Sequence, residues 1–275
     1  MNIFQAFILG ILQGLTEFIP VSSTAHLLIA QHFLGIPADD AAFVFNVLVQ
    51  LGTTLALIIY FWKDLVAMLI DTLKNLSGIS NFKTLPKNAK MGWYIIIATI
   101  PALLAGALLN KYVEALYSQQ LFEAAIRLFA AAILLALAEY FGKRNRKLDS
   151  MTWLDALIIG IMQVIAVFPG ASRSGTTISG GMFRGFDRPA AARFAFLMSV
   201  PVLVAAGAYE AFGLRHISHL SQFLPIVAVG FIAAAIVGWF AIKWLLGYLN
   251  KNSLYLFAGY CAVVGTICII FQLIG

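Results

Sequence analysis

Three ionisable side chains stand where such groups are expensive. Glu17, His26 and Arg173 lie within long apolar stretches, whereas most other charges of this 275-residue chain fall in gaps or near the ends of apolar runs. Ionisable groups at membrane depth are costly, and the default reading of them is functional. All three flank a break. The first break is Pro20-Val21-Ser22-Ser23-Thr24; the second is Pro169-Gly170-Ala171-Ser172-Arg173-Ser174-Gly175, followed by Thr176 and Thr177. A structural ion pair between Glu17 and Arg173 would account for two of the charges but not for the surrounding hydroxyls. Ser and Thr are ordinary N-caps, and capping explains one or two of Ser22, Ser23, Thr24, Ser172, Ser174, Thr176 and Thr177. A helix N-terminus also presents backbone N–H groups and positive dipole, which bind phosphate readily. Two such ends facing each other, with an arginine between them, would make an anion cradle. Arginine suits phosphate because its planar fork donates two parallel hydrogen bonds.

Gln13 and Glu17 are spaced i,i+4, on one face of a short helix. Their oxygens are candidate ligands for a divalent ion bridging to phosphate, since Mg²⁺ takes few protein ligands plus water. His26 lies three residues after Ser23, so the two share a face if a helix starts there. That spacing favours Ser23 as nucleophile with His26 as base; the alternative is His26 activating a water. His32, His216 and His219 lie near gaps and are given no role. No Walker-type loop, GxGxxG loop or Cys/His metal spacing is present.

These residues need elements to hold them. The chain is 61% hydrophobic and only 11% charged, where a soluble domain is nearer half apolar and a quarter charged. The expected fold is therefore an all-α, polytopic membrane helix bundle forming a single membrane domain over residues 1–275. Six apolar runs are long enough to span, at about 42–62, 91–109, 121–141, 193–210, 223–243 and 253–274. Residues 3–34 and 153–184 are each cut by a break into pieces too short to cross, and read as re-entrant helix hairpins. Irregular backbone at that depth is tolerated only inside protein or lining a cavity. Gly10-Ile11-Leu12-Gln13 is echoed by Gly160-Ile161-Met162-Gln163. Each half then reads as one hairpin plus three spans, about 1–150 and about 151–275. Three is odd, so the second copy enters from the opposite face, an inverted repeat.

The net charge of +6 suggests orientation rather than nucleic acid as a partner. Lys63, Lys74, Lys83, Lys87 and Lys90 occupy one gap; Lys143, Arg144, Arg146 and Lys147 the next; Arg184, Arg188 and Arg193 a third; Lys243 and Lys251 flank a fourth. The alternate gaps are poor in cations. With six spans and two re-entrant hairpins, all four rich gaps fall on one side, which the positive-inside rule makes cytoplasmic. The hairpin tips then approach each other near mid-membrane. Cys261 and Cys268 read as packing residues of one helix, and no cleavable leader is apparent.

At the two breaks the sequence resembles the undecaprenyl-diphosphatase family associated with bacitracin resistance. The stretch from Gln13 to His26 contains that family's (Glu/Gln)-x-x-x-Glu motif. Pro169 to Thr177 fits its Pro-Gly-x-Ser-Arg-Ser-x-x-Thr motif. The resemblance implies removal of the terminal phosphate from undecaprenyl diphosphate, a lipid of the bilayer, to recycle the carrier for peptidoglycan synthesis. It implies dependence on a divalent cation, Mg²⁺ or Ca²⁺, and a site open to the outer face of the bacterial plasma membrane. By position it gives Glu17 the acidic role in metal binding or proton transfer and His26 the catalytic histidine role. Arg173 takes phosphate binding and charge stabilisation, Ser23 the place of candidate nucleophile, and Ser172, Ser174 and Thr177 phosphate contact. Ser22 and Thr24 are grouped with the phosphate-binding hydroxyls. Gln13, where the family also has Glu, brings less charge to a metal. Oligomeric state, including a homodimer, stays open.

Two other classes compete. A lipid-carrier transporter or flippase would also use broken helices meeting at the midplane. A membrane scaffold leaves the Ser/Arg/Glu/His cluster without a purpose.

Overall fold

The computed structural model describes all residues except 38, 77–81, 116–120, 167–171, 212–219 and 275. Pro169, Gly170, Ala171, Arg215, His216 and His219 therefore lie outside the described residues. The described chain is helical: α1 (Ile3–Thr16), α2 (Ser23–Phe33), α3 (Asp40–Tyr60), α4 (Trp62–Lys74), α5 (Lys87–Ala115), α6 (Leu121–Phe141), α7 (Trp153–Ile165), α8 (Arg173–Phe183), α9 (Arg188–Ala211), α10 (Leu220–Leu249) and α11 (Tyr255–Ile274). Six are long and apolar enough to cross a membrane: α3, α5, α6, α9, α10 and α11. They are the six runs expected from the sequence. Ile133, Ile232, Phe240 and Val263 stand exposed on their outer faces, as lipid contact requires. The helix α4 is an addition to the expected elements. It occupies a cation-rich gap, burying Met68 and Thr72 and leaving Trp62, Leu69 and Leu73 exposed.

The remaining four helices form two hairpins. At about 1.5 Å per residue, the 14-residue α1 and 13-residue α7 reach only about 20 Å, short of a hydrocarbon core of about 30 Å. Each pair folds back on itself, α1 on α2 and α7 on α8. The open end of the first is tied by Gln5, whose amide donates to the Leu34 carbonyl at 3.0 Å. The open end of the second is tied by Arg184, whose Nε donates to Asp155 Oδ1 at 2.8 Å.

These two open ends lie at opposite ends of the bundle. Ala6, Leu9 and Ile36 of the first hairpin pack with Phe223 and Val227 at the start of α10. The chain after the far end of α10 is held by Glu139, which accepts from the Leu254 N–H at 2.7 Å and from Arg188 and Arg144 at 2.6 Å. The second hairpin opens at this same end. Arg146 donates to Asp155 at 2.7 Å and 3.0 Å and stacks on Phe186. Arg193 pairs with Asp64 at 2.7 Å, and Lys87 with Asp149 at 2.5 Å. The four cation-rich gaps are thus knitted together at one end. Burial alone would push the Asp155 carboxyl up; hydrogen bonds from Arg146, Thr152 and Arg184 overcome this and hold it well below the usual carboxylate range.

The Glu139 side chain is fully buried, while its two arginines keep a quarter to a third of their surface. Glu139→Ala leaves two cations and the α11 start unpaired. The expected loss is about 2–3 kcal/mol, below that of a fully buried pair because water still reaches the guanidinia. Thermal unfolding of the detergent-purified variant checks it.

Glycine sets how closely the hairpins seat. A Cβ on Gly160 would overlap the Ala98 carbonyl oxygen and lie 2.8 Å from the Ala98 Cα of α5. A Cβ on Gly10 would lie 2.9 Å from Gly230 Cα of α10. These obstacles are backbone and cannot rotate away. Gly160→Val is expected to cost about 1–3 kcal/mol, read as a lower melting temperature.

Candidate functional site

The first break is built by local turns. Glu17 ends α1, its N–H donating to the Gln13 carbonyl at 3.0 Å. The Val21 N–H donates to the Ile19 carbonyl at 2.7 Å, a tight turn around Pro20. Ser22 comes next with φ +66°, a left-handed conformation that costs a non-glycine residue about 1 kcal/mol or more. From there it caps α2, its hydroxyl accepting from the Ala25 N–H at 3.4 Å. In the second hairpin Ser172 caps α8, accepting from the Gly175 N–H at 3.1 Å.

The two hairpins meet at these caps. Arg173, at the N-terminus of α8, donates through Nη2 to Glu17 Oε1. Ser174 donates to the Ile19 carbonyl at 3.4 Å. The Glu17 carboxylate is 2% exposed and the Arg173 side chain 16%. Glu17 Oε2 accepts from Gln13 Nε2 at 2.7 Å and from the Ser23 hydroxyl at 2.8 Å. Gln50, on α3, donates to both carboxylate oxygens at 3.3 Å and 3.4 Å. A buried carboxylate is stable only when so paired.

His26 is buried on the first turns of α2. Its Nδ1 lies 2.9 Å from the Ser22 carbonyl and its Nε2 2.8 Å from the Tyr260 hydroxyl of α11. The side chain that receives the Ser23 hydroxyl is therefore Glu17, not the His26 that the three-residue spacing favours. The imidazole points away along α2, toward α11. Gln50 and Tyr260 also contact the site, and sequence reasoning singles out neither. Gln50 carries a signal, a carboxamide inside an apolar run; Tyr260 carries none.

The remaining hydroxyls serve the caps and turns. Thr177 and Thr176 donate to the Arg173 carbonyl at 2.7 Å and 3.0 Å, and both are buried. Ser172 and Ser174 hydroxyls lie 3.3 Å apart. Thr24 is half-buried beside Ser23. His32 is exposed, edge-on to Phe33. Cys261 and Cys268 are buried and unpaired.

No group of three or more His, Cys, Asp or Glu side chains that could hold a metal occurs among the described residues. Glu17 is the one carboxylate of the cluster and its two oxygens carry four donor side chains. Gln13 turns its amide nitrogen, not its oxygen, to Glu17. A divalent cation fits this donor set only when most of its ligands are phosphate oxygens and water.

Six helices long and apolar enough to span, two hairpins entering from opposite ends and a buried Glu/Ser/Arg cluster where they meet define a polytopic membrane protein with a polar cluster buried in its helix bundle. The chain belongs to the family described as bacitracin resistance protein BacA, which matches residues 6–267. It is 41% identical over 259 residues to the undecaprenyl-diphosphatase of Anaeromyxobacter sp. (strain K), covering 94% of this chain and 87% of the relative. It is 37% identical over 271 residues to that of Geotalea daltonii, covering 98% of each. With that of Caldicellulosiruptor bescii it shares 39% identity over 274 residues, covering 100% of this chain and 99% of the relative.

Proposed function

We propose that this chain hydrolyses undecaprenyl diphosphate to undecaprenyl phosphate and inorganic phosphate. The observation that carries the reading is the Ser23–Glu17–Arg173 cluster: a hydroxyl, a carboxylate acceptor and a guanidinium held together between two helix N-termini. A prenyl tail stays in lipid while the diphosphate enters between the hairpin tips.

The resting site is neutral, Glu17 against Arg173. An entering diphosphate competes for the guanidinium, and Arg173 exchanges the carboxylate for two phosphate oxygens. The N-termini of α2 and α8 add positive potential. Glu17, released from its cation, becomes the base for the hydroxyl it already accepts. Ser23 Oγ attacks the terminal phosphorus, its proton passes to Glu17, and undecaprenyl phosphate leaves with the bridging oxygen. Water then cleaves the phosphoserine, releasing inorganic phosphate; His26 is the remaining proton-transfer group on α2. Phosphoryl transfer asks mainly for such positioning and charge neutralisation. Glu17 and Gln13 would hold a Mg²⁺ or Ca²⁺ together with the substrate's oxygens, where it would neutralise phosphate charge.

The two halves, about 1–150 and 151–275, form an inverted repeat in this reading. Its support is that α1 seats on α10 through Gly10 as α7 seats on α5 through Gly160. The cationic end faces the cytoplasm of a bacterial inner membrane, and substrate enters from the outer leaflet, the side from which the first hairpin dips.

Phosphate release by the purified protein from undecaprenyl diphosphate, with Mg²⁺ or Ca²⁺, tests this. A protein that releases none yet moves the lipid between leaflets is the competing transporter.

A further inference from the structure

We infer that Tyr260 is the positioning residue of His26, fixing its tautomer and holding its proton-accepting nitrogen from the lipid side. A carbonyl oxygen only accepts hydrogen bonds, so the His26 nitrogen 2.9 Å from the Ser22 carbonyl, Nδ1, must carry a hydrogen. In the neutral imidazole the bare nitrogen is then Nε2, and the phenol hydroxyl 2.8 Å away is its donor. The rings lie parallel within 7°, with centroids 5.5 Å apart. The left-handed turn at Ser22 is part of this device, because it caps α2 and so places its carbonyl one helical turn from His26.

Tyr260 comes from the last span, 234 residues away in the chain, and is 44% exposed, so its outer surface faces lipid. A phenol both donates and accepts. It donates to Nε2 while the imidazole is neutral and turns to accept from Nε2–H once the imidazole has taken a proton. Phenylalanine, of the same shape, does neither. Tyr260 therefore lets His26 change protonation state without losing a partner or its orientation.

The kinetic arm of the test rests on the phosphatase reading; the spectroscopic arm does not. In full-length protein labelled with nitrogen-15 histidine, the His26 signals are those lost in His26→Gln. The expected wild-type pattern is a hydrogen on Nδ1 and none on Nε2, with Tyr260→Phe moving the Nε2 resonance. Tyr260→Phe is also expected to lower kcat about tenfold while KM stays within about twofold. A hydrogen on Nε2 of neutral wild-type His26 overturns the inference, even if no variant folds. So does a Tyr260→Phe enzyme of unchanged kcat. A wild type that releases no phosphate sinks the phosphatase reading, and the tautomer still decides the role of Tyr260.

Discussion

Arg173→Ala is expected to lower phosphate release from undecaprenyl diphosphate by about 10³-fold or more, the range found when an arginine leaves a phosphoryl-transfer site. Arg173 is the one cation in contact with the Glu17 carboxylate among the described residues, and it stands at the N-terminus of α8. In the proposed reaction the guanidinium is the group that meets charge building on the phosphate oxygens. Arg173→Lys should recover only part of the loss, because an ammonium cannot grip two oxygens at once. The fold should survive better than the activity. Glu17 keeps Gln13, Ser23 and Gln50 as donors when Arg173 is gone. A melting temperature lowered by several degrees, because the buried Glu17 carboxylate loses its cation, with the protein still folded and activity gone, is the expected pair of results. An Arg173→Ala enzyme within tenfold of wild type would remove the phosphate clamp from the mechanism.

Ser23→Ala is expected to be more severe still, about 10⁶-fold, as when a nucleophilic serine is lost. The reason is geometric: the Ser23 hydroxyl already donates to the carboxylate that would take its proton. An acid quench during turnover should trap phosphate on the peptide containing Ser23. If Ser23→Ala stays within tenfold of wild type and no phosphoserine is trapped, a water is the attacking group and Glu17 its base. Glu17→Gln separates the two roles of the carboxylate. The amide can still hydrogen-bond Ser23 but cannot accept its proton, so activity should fall with little change in substrate binding.

Local sequence determined a large part of this molecule. Six spans come from run length, because backbone in lipid must satisfy itself within a helix. The two breaks come from Pro20 and from serines that cap helices, and Glu17, His26 and Arg173 cluster at them. The cation-rich gaps foretold which loops share an end, since charge resists crossing lipid.

Other features were decided only in three dimensions. The helix α4 lies in a stretch that reads as a gap; its mixed face of Met68 and Thr72 acquires a purpose only against α5. Helical spacing pairs Ser23 with His26 because it relates residues along α2 and cannot register Glu17 across the Pro20 turn. Gln50 reaches Glu17 from 33 residues away and Tyr260 reaches His26 from 234. A tyrosine in an apolar run looks the same whether it faces lipid alone or also holds a buried imidazole. What chooses between those fates is the packing of α2 and α11 against α6 and against each other, a long-range contact that no local periodicity encodes.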